Sequence, residues 1–352
     1  MRYIDAFNHF FPSAFFQAML QTPAGSKDLG KRMRGIPAVH DIDVRRRVVE
    51  EFDDYTQVLS LGLPPAELLV GPEQSPELNR IGNDGLAELV AKYPDRFVGY
   101  AASLPMDVPD AAAREAERVL AAGANALQLF TNVKGLPLDD PRFLPIFEIA
   151  AKAGRPILLH PVRTPATADY ASETFSRYEI WTILGWPYET SVAMARLVFS
   201  GVLDRFPDLK VVTHHLGAMI PYFSDRIRYG WHQLGTRTSG EDLDAVAKRM
   251  KKPVIDYFKD FYGDTALCGS RASVVCGLDF FGADHVLFAT DCPFDPEGGR
   301  GFIREVIAVM ESLDLAPDAR ENLLPQCRAP VRAWRSVVGW AKRSVATRAH
   351  AS

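Results

Sequence analysis

The chain has 352 residues, 47% of them apolar, enough to bury a large core either as one α/β barrel or as two ordinary domains. Lys and Arg number 40 against 44 Asp and Glu, and the formal charge of −4 gives no electrostatic reason to expect nucleic acid or an anionic membrane as partner, which favours a small-molecule substrate. Four cysteines, Cys268, Cys276, Cys292 and Cys327, stand far apart with no CxxC spacing, which excludes a zinc finger and predicts reduced, mostly buried thiols.

The chain starts directly on a strand pattern, Tyr3 to Phe7, with no basic and then apolar leader before it, and no run approaches about 18 uninterrupted apolar residues. A soluble, cytoplasmic protein is the expectation. Asp5-Ala6-Phe7-Asn8-His9 closes this first strand, and strict alternation predicts that Asp5, Phe7 and His9 share one face. Seven more strands are predicted: Thr56 to Ser60, Phe97 to Ala102, Ala126 to Phe130, Pro156 to His160, Lys210 to His214, a weak one near Phe261 to Asp264, and His285 to Thr290. Between them run amphipathic helical patterns over Val44 to Phe52, Pro76 to Lys92, Val108 to Ala121, Pro141 to Ala153, Ser191 to Phe206 and Arg271 to Phe281. This alternation predicts a (β/α)8 TIM barrel spanning residues 1–352 as one domain; the absence of a GxGxxG turn after the first strand disfavours a dinucleotide fold.

Residues 10–40 and 161–190 are too long for simple connections and follow strand ends at the face where barrels place their sites, so they are expected as lid or pocket insertions. They carry Phe11, Phe15, Phe16, Tyr170, Phe175, Tyr178 and Trp181, most of which should serve to pack the insertions onto the barrel. Trp186-Pro187-Tyr188-Glu189-Thr190 reads as a helix entrance, with Trp186 a candidate pocket wall. Two further helices are expected from Pro317 to about Arg343.

Potential metal ligands end four different strands: His9, His160, His214 or His215, and Asp291. A lone histidine after an apolar run is commonly a core residue, but barrel closure gathers strand ends at one mouth, and imidazole with carboxylate suits zinc, iron or manganese. Asp264 is expected to cap a turn or to orient a ligand.

These residues stand in blocks that resemble the amidohydrolase superfamily, in the branch of aminocarboxymuconate semialdehyde decarboxylase and γ-resorcylate-type decarboxylases. The resemblance covers nearly the whole chain. His160-Pro161, His215-Leu216-Gly217-Ala218-Met219-Ile220-Pro221 and Thr290-Asp291-Cys292-Pro293 match the branch's His-Pro, His-x-Gly-x-x-x-Pro and Thr-Asp-x-Pro blocks. The first block departs, because Phe7 stands where the branch has His or Glu. The resemblance implies His9, His160 and Asp291 as ligands of one divalent metal, zinc before manganese, and His215 as a non-ligating catalytic histidine beside a catalytic Asp291. His214 would then be a packing or supporting residue on the opposite face. No Lys ends the fourth strand, so a bridged two-metal site is not expected.

The resemblance also implies a homodimer in which Arg226, eleven residues past His215, grips a substrate carboxylate across the interface; Asp225-Arg226-Ile227-Arg228 reads equally as a solvated helix face. Arg34 and Arg163 are further candidate carboxylate contacts. The implied activity is metal-dependent, non-oxidative decarboxylation of a cyclic or conjugated carboxylic acid. Two alternatives stay open: metal-dependent hydrolysis of a lactone, amide or related ring, and a metal-free barrel that lost the site through Phe7.

Overall fold

A computed structural model describes residues 3–239 and 242–314, so the helices expected between Pro317 and Arg343, and Cys327, lie outside the described residues. Eight parallel strands follow one another in chain order: β1 (Tyr3–His9), β2 (Tyr55–Ser60), β3 (Phe97–Ser103), β4 (Ala126–Phe130), β5 (Ile157–His160), β6 (Val211–Thr213), β7 (Tyr262–Asp264) and β8 (Val286–Leu287). The ring closes between first and last: the Ala6 N–H donates to the Phe288 carbonyl at 2.9 Å, Asp291 N–H to Phe7 at 3.2 Å, and His9 N–H to Cys292 at 2.9 Å. Helices fill the intervals, including Ile42–Glu50, Ser75–Lys92, Pro109–Ala121, Leu144–Ala153, Gly185–Phe199 and Arg271–Phe281, as a (β/α)8 barrel requires.

Local chemistry sets several boundaries. The Asp41 carboxylate accepts from Asp43 and Val44 N–H groups and starts Ile42–Glu50. Gly154 ends Leu144–Ala153 in the left-handed region at φ 61°, where a side chain is disfavoured. The single helix expected over Ser191 to Phe206 is two, Gly185–Phe199 and Val202–Arg205, broken at Gly201 with φ 84°. Trp186 to Thr190 forms its first turn, in line with the sequence pattern.

The core has two layers. Inside the ring, Ile4, Ala6, Phe7, Val58, Ala101, Ala126, Leu158, Val212, Tyr262, Leu287 and Ala289 pack together. A larger apolar layer lies between barrel and helices. This division corrects the alternation expected for β1. Pairing with β2 runs Asp5 to Gln57 and then Asn8 to Leu59, three steps against two, so a bulge places Ala6 and Phe7 both inside and turns Asp5 outward. Asp5 there accepts from the Tyr55 hydroxyl, the Thr290 hydroxyl at 2.5 Å and the Thr290 and Phe7 N–H groups.

The insertion aromatics divide likewise. Phe11, Phe15, Phe16 and Trp181 are buried, whereas Tyr170, Phe175 and Tyr178 are exposed. The thiols are less buried than expected: only Cys292 is fully enclosed, while Cys276 is partly covered and Cys268 exposed. Among the described residues no helix is long and apolar enough to cross a membrane.

Candidate metal centre

His9 ends β1, His160 ends β5, and His214 and His215 follow β6. Donor atoms of His9, His160 and His214 lie within 4.8 Å of one another, as do those of His214, His215 and Asp291. Asp291 reaches the group through a left-handed backbone turn at φ 61° just beyond β8, and its Oδ1 stands 3.3 Å from His9 Nε2 and 3.5 Å from His214 Nε2. The His9, His160 and His214 side chains are buried, and the Asp291 carboxylate is nearly so.

The second ring nitrogen of each buried histidine is engaged by the protein. His9 Nδ1 is 3.2 Å from the Leu61 carbonyl, His160 Nδ1 is 2.7 Å from that of Pro161, and His214 Nδ1 is 2.6 Å from Asp264 Oδ2. Carbonyls and carboxylates accept only, so these contacts put the proton on Nδ1 and leave Nε2 free to ligate. Nε2 of His9 and of His214 has no hydrogen-bond partner. Two ligands about 2.0–2.1 Å from a tetrahedral zinc stand about 3.3 Å apart, the spacing Asp291 keeps to both atoms. Buried, unpartnered imidazole nitrogens gathered about one carboxylate oxygen therefore fit a divalent cation.

The electrostatics agree with a site that stores negative charge at Asp291 and neutral imidazoles at His9 and His160. Burial pulls the His9 ring below its ordinary value, and burial followed by the neighbouring His9 and His214 rings pulls His160 well below it. Burial also works to lower His214, but Asp264 on one side and Asp291 on the other override it and push it up to about 10. Burial works to raise Asp291, but the ring nitrogens of His214, His215 and His9 that face its carboxylate outweigh it and hold the group well below the usual carboxylate range.

Placement of His214 corrects the sequence reading. Alternation should have put His214 and His215 on opposite faces, yet β6 stops at Thr213 and His215 sits at φ 59°, so the chain leaves strand geometry between them. His214 joins the buried cluster. His215 lies at its rim, 18% exposed, with Nε2 4.0 Å from Asp291 Oδ2. Asp264 Oδ1 accepts from the His215 and Ala266 N–H groups, while Oδ2 binds the His214 ring.

Phe7 forms the floor. Its fully buried ring stands 4.2 Å from the His214 ring, 5.5 Å from His9 and 5.8 Å from His160, measured between centroids. Above the cluster, a cavity of ≈ 30 Å³ is lined by Arg32, Met33, Leu63, His160, Trp186, Asp291 and Phe294. Trp186 thus walls the mouth, edge-on to His160 at 5.9 Å.

The predicted arginines lie elsewhere. Arg34 donates to the Gly25 and Ser26 carbonyls, and Arg163 pairs with Glu189 at 3.0 Å beside a neighbouring cavity. Arg226, on the helix Ser224–Trp231, lines an open groove with Tyr229, Gln233 and Arg237. The cation at the mouth is Arg32, 5.1 Å from the Phe294 ring; its only sequence signal was membership of the first insertion. Also missed was Arg45, fully buried behind β1, whose guanidinium donates to the His9 carbonyl at 2.7 Å, Asn8 Oδ1 at 3.0 Å and Cys292 Sγ at 2.8 Å.

Comparison with known proteins places this geometry among relatives. The amidohydrolase family profile matches residues 66–325, which takes in His160, His215 and Asp291 and begins after His9. A γ-resorcylate decarboxylase from Polaromonas sp. is 33% identical over 267 residues, 72% of this chain and 78% of that protein. Among solved structures, 5-carboxyvanillate decarboxylase from Sphingomonas paucimobilis superposes with a TM-score of 0.79 at 25% identity, covering 95% of this chain and 99% of that one. A dihydroxybenzoic acid decarboxylase from Polaromonas sp., with bound manganese and the inhibitor 2-nitroresorcinol, superposes with a TM-score of 0.71 at 25% identity, over 97% of this chain and 98% of that one.

Proposed function

The chain belongs to the amidohydrolase family, and from that premise we propose that it is a metal-dependent, non-oxidative decarboxylase of a cyclic or conjugated, aromatic-type carboxylic acid. The observation that carries this reading is the set of buried, unpartnered Nε2 atoms converging on Asp291 at the barrel mouth. His9, His160 and Asp291 would hold one divalent ion, and their imidazole and carboxylate donors suit zinc and also manganese. Such an ion, when bound, supplies positive charge that orients the acid's oxygens and lowers the pKa of bound water.

His215, at the rim and turned toward Asp291, moves the proton. Its transfer to the ring carbon bearing the carboxylate makes a C–H bond; the C–C bond to the carboxylate then breaks, CO2 leaves, and the bonding pair returns to the ring. Asp291, 4.0 Å away, balances the charge of the protonated His215 ring. Phe7 below, with Met33, Leu63, Trp186 and Phe294 above, keeps water from the reacting carbon. Arg32 is the guanidinium at the mouth, placed to take a carboxylate in two hydrogen bonds.

Residues 10–40 and 161–190 act as pocket walls, supported by Arg32, Met33 and Trp186 at the cavity. A cavity that holds benzene measures about 150 Å³, so the ≈ 30 Å³ space enclosed by these residues is smaller than a bound ring. Arg226 takes part only in a homodimer that brings it to a partner's mouth.

The test is to supply the zinc- or manganese-loaded protein with hydroxybenzoic and related ring acids and follow CO2 release. Metal-dependent CO2 release from one of them is the expected result. Acid production from neutral lactones or amides, with no CO2 from any acid, would replace this reading with hydrolysis.

A further inference from the structure

We infer that His214 is the fourth protein ligand of the metal, occupying in space the coordination place that Phe7 vacates in the sequence. The inference rests on the metal-dependent reading above and deepens it.

Phenyl offers no lone pair, and the Phe7 ring fills the floor of the site at 4.2 Å from the His214 ring. Directly beside that ring, His214 has what a ligand needs. Its donor atom lies within 4.8 Å of those of His9 and His160, and its Nε2 is 3.5 Å from the same Asp291 oxygen that stands 3.3 Å from His9. Nε2 is buried and makes no hydrogen bond, while Nδ1 is held at 2.6 Å by Asp264, the carboxylate–histidine arrangement that fixes a metal-ligating ring.

His215 shares the grouping with His214 and Asp291 but not the one with His9 and His160. Its Nε2 is 4.0 Å from the other Asp291 oxygen, and its side chain is 18% exposed. Proximity is thus divided between two adjacent histidines: the buried one faces the ion, and the rim one faces the substrate. Loss of the donor at position 7 and the presence of a donor at position 214 are two halves of one exchange, with the phenyl ring packed against the imidazole that replaces it.

The experiment titrates the metal-stripped full chain with Co2+, following visible absorption and binding heat. Wild type should take one equivalent with the visible bands of a five-coordinate ion, four protein ligands and one position open to water. His214→Ala should lose at least about 100-fold in affinity, whereas Asp264→Asn, which removes only the group that orients the ring, should lose about 10–100-fold. Phe7→His should restore binding in the His214→Ala background, because it returns an imidazole to the vacated place. Circular dichroism melts, and His214→Gln as a milder change, separate ligand loss from misfolding.

If His214→Ala and His214→Gln keep wild-type affinity and spectrum while His160→Ala loses both, this assignment is overturned and the metal-dependent reading stands. If wild type binds no Co2+, both fall together.

Discussion

At the scale of single residues, the strand-end polar residues were readable because a parallel barrel strand is apolar until it ends. His9, His160, His215 and Asp291 interrupt apolar runs, and all four gather at one mouth. The sides that Asp5 and His214 face were not readable. Each depends on a local departure from the two-residue repeat, a bulge in β1 and a positive φ at His215, and such departures are set by what a neighbouring strand pairs with. Arginine contacts were least readable, since a long side chain on an insertion can reach in many directions.

Arg32 is therefore the residue to test. The exchange Arg32→Gln removes charge-assisted hydrogen bonds of about 1.5–3 kcal/mol, so KM for the acid should rise about 10- to 100-fold with kcat little changed. Steady-state kinetics on a decarboxylated acid measure it, and an unchanged KM would remove Arg32 from substrate binding.

At the scale of elements, the central question is what holds the ends of β1 and β8 together, because His9 comes from one and Asp291 from the other. Arg45, on the helix Ile42–Glu50, bridges them from behind by donating to the His9 and Cys292 carbonyls, Asn8 and the Cys292 thiol. Burial pushes that thiol up to about 12, so it meets the guanidinium as a neutral acceptor. Amphipathic spacing identifies this helix but gives Arg45 no role, since a basic residue in such a pattern is ordinarily expected on the solvent face. Arg45→Met should leave several buried acceptors unpaired and lower unfolding free energy by about 3–5 kcal/mol. Metal should also dissociate faster from the variant. Chemical denaturation and chelator-competition kinetics check the two effects, and a variant that melts like wild type would show that the strand ends need no clamp.

At the scale of the whole molecule, alternating strand and helix patterns over some 300 residues made the barrel legible, and the observed strand order follows chain order throughout the described residues. The lining of the mouth was not legible, because it depends on where Met33, Leu63 and Phe294 from separate segments meet. Stability should carry a signature of its own away from the metal centre. Glu67 is buried with Oε2 unpartnered, and burial raises its carboxyl from 4.5 to about 7. The folded state therefore keeps a proton that the unfolded chain gives up above pH 4.5. Stability from this group is lost as pH climbs from about 4.5 to 7, by about 3 kcal/mol in all. Denaturant unfolding across that window should display the decline in wild type and a shallower one in Glu67→Gln; identical slopes would contradict it.

The chemistry proposed for this barrel stands on one shared cation. Diffraction recorded at the absorption edge of zinc or manganese, on crystals grown with that metal, tests this directly. The account predicts a single anomalous peak at the barrel mouth, within bonding distance of His9 Nε2, His160 and Asp291. A mouth without a peak, or a peak beyond bonding distance of these three residues, would contradict it.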